Sequence, residues 1–327
     1  MTLKLFAIGA THGYGERVAR CLGISLGQLE ERSFVDGEHK VRPLENVRGD
    51  DVYVLHSLYG DAQQSVNDKL IRLLFLIGAL KDAGAASVSA VVPYLCYARK
   101  DRRTKSRDPV STRYVARLVE SVGADRIITM DVHNLAAYEN AFRIPNENLQ
   151  ARPLIVEALS GRLLAEPGAQ VTVLSPDLGG IKRAESFRAA LEARIGRRVE
   201  NAFVEKYRSA GVVSGGTLVG NVADRIVIMV DDLIASGTTL ARAAQACRDA
   251  GAATVYAAAS HGAFAPNAAD VLAAGGFASI LVTDTIDAAH LRGAPAGLEV
   301  VSTAELFAAV IRAVHDGGSI SALGDAF

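Results

Sequence analysis

The sequence has no tryptophan, three methionines, three cysteines and only 6% aromatic residues in a chain of 327. Cys21, Cys96 and Cys247 are odd in number, widely spaced and never arranged as CxxC, so neither a disulfide frame nor a zinc site is indicated. A surplus of charge is also missing: 35 Lys and Arg stand against 36 Asp and Glu, a net charge of −1. Proteins that grip nucleic-acid backbones usually carry a basic excess, so no nucleic-acid partner is expected. No apolar run approaches the length of a membrane span, and no membrane association is expected. The opening MTLKLFAIGATHG lacks a basic leader with a long apolar core and reads as a first strand, which makes a cytoplasmic location the expectation. Half the residues are hydrophobic and 22% are charged, as in a compact folded protein, and the length allows two domains with separate cores.

The most informative stretch is IVIMVDDLIASGTT, residues 226–239. Its apolar start suits a strand buried on both faces of a parallel sheet. Two acids follow, Asp231 and Asp232, and then a small, hydroxyl-rich loop, Ala235, Ser236, Gly237, Thr238 and Thr239. LARAAQACRDAG then reads as an amphipathic helix stopped by Gly251. A small-residue loop between strand and helix aims backbone N–H groups and hydroxyls at one phosphate, with the helix N-terminus behind it. Paired carboxylates at a strand end suit vicinal sugar hydroxyls or a divalent metal. Together these features describe a pocket for a phosphorylated sugar.

The sequence also repeats itself. LKDAGAASVSAVVPY (80–94) and CRDAGAATVYAAASH (247–261) share a helix end, an Asp-Ala-Gly-Ala stop and a strand, about half the chain apart. Strands alternating with helices predict parallel α/β layers. The expectation is an α/β protein of two tandem, related, doubly wound domains with mainly parallel sheets. They are placed at 1–148 and 149–303, with 304–327 a helix and tail packing back on the first. The first half lacks the acid pair, so its counterpart loop, 57–67, is assigned another task.

Four further segments carry chemistry. PYLCYARKDRRTKSRDPVS (93–111) places six cations, Arg99, Lys100, Arg102, Arg103, Lys105 and Arg107, after a strand. A bare charge run is usually solvated surface, but in a near-neutral protein this position favours a local polyphosphate. ITMDVHN (128–134) sets Asp131 and His133 at a strand end, where a lone histidine is more often structural than a ligand. SFVDGEHKV (33–41) contains Asp36-Gly37-Glu38, in itself a common turn. VLSPDLGGIKRA (173–184) leads from a strand through Asp177 into a Gly-Gly turn, and Asp177 reads equally well as a helix cap. FVEKYRSAG (203–211) offers Lys206 and Arg208 after a short strand, on one face.

VDDLIASGTT resembles the phosphoribosyl-pyrophosphate signature of type I phosphoribosyltransferases, and the segment 93–111 resembles the catalytic flexible loop, placed here at 97–110, of the ribose-phosphate pyrophosphokinase family. The resemblance covers nearly the whole chain in order. It implies transfer of the diphosphoryl group of Mg-ATP to the 1-hydroxyl of ribose 5-phosphate, with Mg²⁺ as cofactor. It also implies roles: Phe34, Asp36, Gly37, Glu38, Arg99, Lys100 and His133 for ATP, and His133 and Asp177 for the metal. Asp231 and Asp232 would hold the ribose hydroxyls and residues 235–239 the 5-phosphate; Lys206, Arg208 and Arg99 would be catalytic, with Arg208 also on the sugar phosphate. A dimer-based homo-oligomer, hexameric in most members, is implied because the Phe34–Glu38 element works across a subunit interface in the family. Ala235 stands where most members have Asp, Thr238 where they have Gly, Lys100 where they have Gln, Tyr207 where they have Arg, and Asn46 where the phosphate-regulated class has Ser. Two other readings stay open: a nucleobase phosphoribosyltransferase, which needs no cationic loop, and a catalytically weak regulatory or scaffolding relative.

Overall fold

A computed structural model describes residues 1–209, 212–288 and 293–321, the side chains of 206–216 excepted. The chain divides into two compact units. One comprises Met1–Gln150, Thr285–Asp287 and Thr303–Phe327, and the other Ala151–Asp284 and Ala288–Ser302.

The first unit begins β1 (Leu3–Ala7), α1 (His12–Leu22), an antiparallel ribbon of β2 (Leu29–Ser33) and β3 (His39–Pro43), and β4 (Asp51–Leu55). It continues α2 (Val66–Asp82), β5 (Ser87–Val92), α3 (Ser111–Ser121), β6 (Arg126–Met130), α4 (Leu135–Ala141) and β7 (Asn146–Leu149). Strands β1-β4-β5-β6-β7 form one parallel sheet in that order. Strand side chains alternate between faces. Phe6, Val52, Val54, Val88, Ala90, Val92 and Ile127 pack with apolar residues of α2, α3 and α4. The opposite face receives α1, whose Gly15 leaves no room for a Cβ beside Ala7, and the C-terminal helix Ala304–Asp316. That helix is tied back by His315 Nδ1 to Asp51 Oδ2 at 2.7 Å and by Phe307 meeting Tyr14 edge to face. Helices on both faces explain why β4 is apolar at consecutive positions.

The second unit runs α5 (Arg152–Ala165), β8 (Val171–Ser175), α6 (Ile181–Ile195), β9 (Val199–Ser209), β10 (Val212–Val219) and β11 (Ile226–Ile234). Then come α7 (Thr238–Asp249), β12 (Thr254–Gly262), α8 (Ala268–Ala274), β13 (Ser279–Thr283) and β14 (Leu298–Val301). Its sheet order is β10-β9-β8-β11-β12-β13-β14, parallel except for the β9–β10 hairpin. The winding direction reverses between β8 and β11. Such a reversal is where open α/β sheets place ligands, beyond the strand carboxyl ends.

The internal repeat is realised bond for bond. Gly84 and Gly251 both take positive φ, +85° and +83°. Their amides donate to Lys81 and Arg248 carbonyls at 2.9 Å, and Ala85 and Ala252 donate to Leu80 and Cys247 at 3.1 and 2.9 Å. The same glycine-terminated helix end launches β5 and β12, one in each unit.

His56, just past β4, is fully buried, with Nδ1 3.0 Å from Thr11 Oγ1. Burial, reinforced by Lys69 and Arg72, pushes its pKa down to about 3. The unfolded chain takes up that proton near the ordinary histidine value and the folded chain does not. The resulting stability is therefore intact above that value and is lost as pH falls below it, by about 1.4 kcal/mol per unit. His56→Gln is expected to flatten the fall in thermal midpoint between about pH 7 and pH 5; parallel slopes for variant and parent would refute this.

Candidate functional site

In the second unit the acids lie on β11 itself. The strand does not stop at Val230 but runs to Ile234, with Asp231 opposite Ala259 and Leu233 opposite His261 on β12. Leu233 and Ile234 continue the strand past the acids, and β12 is long enough to pair with them. Asp232 is buried and Asp231 partly so. The turn is shorter than the five residues expected: Ala235, Ser236 and Gly237 form it, and Thr238 and Thr239 already open α7. Gly237 has φ +73°, and a Cβ there would lie 2.6 Å from Leu272, so the corner accepts glycine alone. Ser236 Oγ sits 3.2 Å from Thr238 Oγ1, at the N-terminus of a twelve-residue helix. Small side chains, two hydroxyls and a helix N-terminus make a cradle for a phosphate.

The first turn of α6 brings Arg183 to the acids. Its Nη1 lies 2.9 Å from Asp231 Oδ1 and its Nη2 3.2 Å from Asp232 Oδ1. Burial and the adjoining Asp232 carboxylate hold the Asp231 carboxyl above the usual carboxylate range, against the pull of Arg183. Asp177 follows β8 and caps the Leu178–Gly180 turn, accepting from the Gly179 and Gly180 amides at 3.1 and 3.3 Å. Lys206 and Arg208 lie within β9, not after a short strand, paired with Gly216 and Val213 of β10. Their side chains fall outside the described residues.

In the first unit the cationic segment links β5 to α3 and folds around one acid. Asp108 Oδ2 accepts from Lys100 Nζ at 2.7 Å, from Thr104 Oγ1 at 2.7 Å, and from the Thr104 and Lys105 amides at 3.1 and 3.0 Å. Those donors hold the Asp108 carboxyl well below its usual range, Lys100 contributing most. Lys100 is thus engaged within the loop, whereas Arg99 is exposed. Asn134 Nδ2 donates to Asp101 Oδ2 at 2.7 Å while its Oδ1 caps α4, which ties the loop to the segment carrying exposed His133. Arg99, Lys100 and His133 are in this way gathered beyond the ends of β5 and β6. Phe34, Asp36, Gly37 and Glu38 form the tip of the β2–β3 ribbon instead, mounted on α2 through the stacked His39–Phe75 pair. The tip is a tight turn: Glu38 N donates to Asp36 Oδ1, Gly37 has φ +92°, and Phe34 is 44% exposed.

The profile of the N-terminal domain of ribose phosphate pyrophosphokinase matches residues 3–123, and that of the phosphoribosyl synthetase-associated domain matches 210–324. A putative ribose-phosphate pyrophosphokinase 2 of Lactococcus lactis is 38% identical over 321 residues, 98% of this chain and 95% of the relative. This chain belongs to the ribose-phosphate pyrophosphokinase family. A ribose-phosphate pyrophosphokinase of Vibrio parahaemolyticus is 37% identical over 98% of both chains. The crystal structure of phosphoribosylpyrophosphate synthetase from Mycobacterium smegmatis, 33% identical, superposes with a TM-score of 0.88 over 97% of this chain and 100% of that one.

Three residues escaped the sequence reading: Arg183, Asp108 and Asn134. Arg183 stands six residues beyond Asp177, where a helix starting at the Gly-Gly turn points its first side chains back toward the strand ends. Asp108 was hidden as the one acid in the second half of a basic run. Asn134 followed a strand-end histidine and could have been taken for a cap.

Two outcomes check these placements. Gly237→Ala is expected to cost about 1–3 kcal/mol in denaturant unfolding, from positive φ plus the Leu272 overlap. Asp108→Ala is expected to speed tryptic cleavage within 99–107 several-fold, since the loop loses the acceptor that closes it; an unchanged rate would show that Asp108 does not hold it.

Proposed function

We infer that this protein is a ribose-phosphate pyrophosphokinase: it transfers the β,γ-diphosphoryl group of ATP to the 1-hydroxyl of ribose 5-phosphate. The products are 5-phosphoribosyl 1-pyrophosphate and AMP, which places the enzyme in nucleotide biosynthesis. The observation that carries the reading is family membership along the full length, including the N-terminal domain that a nucleobase phosphoribosyltransferase does not need. That alternative is not favoured.

The sugar oxygen attacks Pβ, the O1–Pβ bond forms, the bond from Pβ to the α,β-bridging oxygen breaks, AMP leaves with that oxygen, and the hydroxyl proton is released. Reactions of this kind are accelerated by positioning and by neutralising charge on phosphoryl oxygens. We assign the 235–239 turn to the 5-phosphate, and Asp231 and Asp232 to the ribose hydroxyls as acceptors. We assign the exposed Arg99 to the triphosphate and to catalysis, and Lys206 and Arg208 to catalysis, with Arg208 also on the sugar phosphate. Lys100 reaches ATP only after leaving Asp108. His133, Phe34, Asp36, Gly37 and Glu38 contact the nucleotide, with the Phe34 ring stacking on adenine.

Among the described residues no group of three or more His, Cys, Asp or Glu forms a ready cage for a metal. That suits Mg²⁺, which keeps several waters and binds through substrate phosphates with few protein ligands; Asp177 and His133 are the residues we assign to it. When bound it offsets phosphate charge. The protein is further proposed to act as a dimer-based homo-oligomer, with the Phe34–Glu38 tip at a subunit contact. Among the described residues no helix is long and apolar enough to cross a membrane.

The purified protein with Mg-ATP and ribose 5-phosphate is expected to release AMP, and Lys206→Ala to lower the rate by about 10²–10³ or more. A folded protein giving no AMP above background would favour the scaffolding reading instead.

A further inference from the structure

The acid pair of β11 poses an electrostatic problem. Two adjoining carboxylates with little solvent resist ionising together, and one tends to keep a proton. A protonated carboxyl presents an O–H donor, whereas vicinal sugar hydroxyls are best held by two acceptors. The sugar subsite assigned above therefore works only if something keeps both acids charged.

Arg183 is placed for that task. Its two terminal nitrogens reach one oxygen of each acid, at 2.9 and 3.2 Å. A planar guanidinium forks across two carboxylates in a way a single ammonium does not. The neighbouring backbone makes room for it: a Cβ on Gly180 would lie 3.3 Å from Arg183 Nη1 and 2.7 Å from Ser175 Oγ. The Gly-Gly turn before α6 thus serves the arginine as well as the Asp177 cap. Among the described residues, the elements flanking Asp231 carry Asp232 on β11, Arg183 on α6, Asp177 beyond β8 and His261 on β12. Burial raises the Asp231 carboxyl most, Asp232 raises it further and Arg183 lowers it.

We propose that Arg183 is a positioning residue for the sugar subsite, its guanidinium bridging Asp231 and Asp232 and offsetting their mutual repulsion so that the two carboxyl groups are held side by side as acceptors for the vicinal hydroxyls of a pentose 5-phosphate. The proposal rests on the functional reading above, and it adds a residue with no role there.

The test is ribose 5-phosphate binding by calorimetry to the parent, Arg183→Gln and Arg183→Lys at about pH 6 and about pH 8, with 2-deoxyribose 5-phosphate as comparison. Loss of an opposite charge at this distance moves a carboxylate by about 1–3 pH units. Arg183→Gln is therefore expected to weaken ribose 5-phosphate binding about 10-fold or more at the lower pH and less at the higher. The lysine variant is expected to lie between the two, and the KM for ATP to stay near the parent's. The deoxy sugar, which asks for one acceptor fewer, should lose less affinity. Equal weakening at both pH values, or none, overturns the proposal. If Arg183→Gln does not fold, the lysine variant decides by the same comparison: a loss confined to the lower pH supports the proposal, and parental or pH-independent affinity refutes it. A parent protein that binds no ribose 5-phosphate removes the subsite assignment and the proposal with it. A parent that binds the sugar yet releases no AMP removes the pyrophosphokinase reading and leaves the role of Arg183 standing.

Discussion

Parallel pairing on both sides of β11 fixes where its charged residues can go. Between β8 and β12 the strand has no freedom to twist away, so Asp231 and Asp232 leave the apolar interior at one point. Their neighbour β8 ends at Ser175, and the chain on that side is already turning through Asp177 into α6. The space above β11 is thus bounded by one helix start from each face of the sheet, α6 bringing a cation and α7 its amides and hydroxyls. Substituting any one of these side chains changes the chemistry of the site. Breaking the strand pairing would abolish the site itself.

The first unit uses the same frame differently. Its strand β5 ends in a loop with six cations rather than in acids. A loop of like charges would splay apart, yet here a single aspartate collects four donors and gives the segment a defined course. The cost of releasing it is small because Asp108 and Lys100 are near solvent, where such pairs contribute little. The loop therefore has a resting arrangement it can leave easily, as the role proposed for it at a triphosphate requires.

Much of this was legible in the sequence, for identifiable reasons. The alternation of apolar strands with glycine-stopped helices revealed the double winding, and the 80–94 and 247–261 segments revealed the repeat because the same hydrogen bonds impose the same residues. The small-residue turn was readable because Gly237 admits nothing larger. What stayed hidden depends on contacts distant in sequence. The extension of β11 past the acids required knowing the length of β12. The bridging of Arg183 required knowing that α6 faces β11, and the capture of Lys100 required the fold-back of the loop on Asp108.

The first unit is not built from a continuous stretch of chain. One face of its sheet is covered partly by Ala304–Asp316, which His315, Phe307 and the Arg312 contact with the Leu22 carbonyl anchor in place. During synthesis that helix emerges only after the whole second unit. Until then Asp51 and Tyr14 lack their His315 and Phe307 partners. The unit translated first must therefore finish folding second, and nascent chains or C-terminal truncations would present an apolar sheet face to chaperones and to one another.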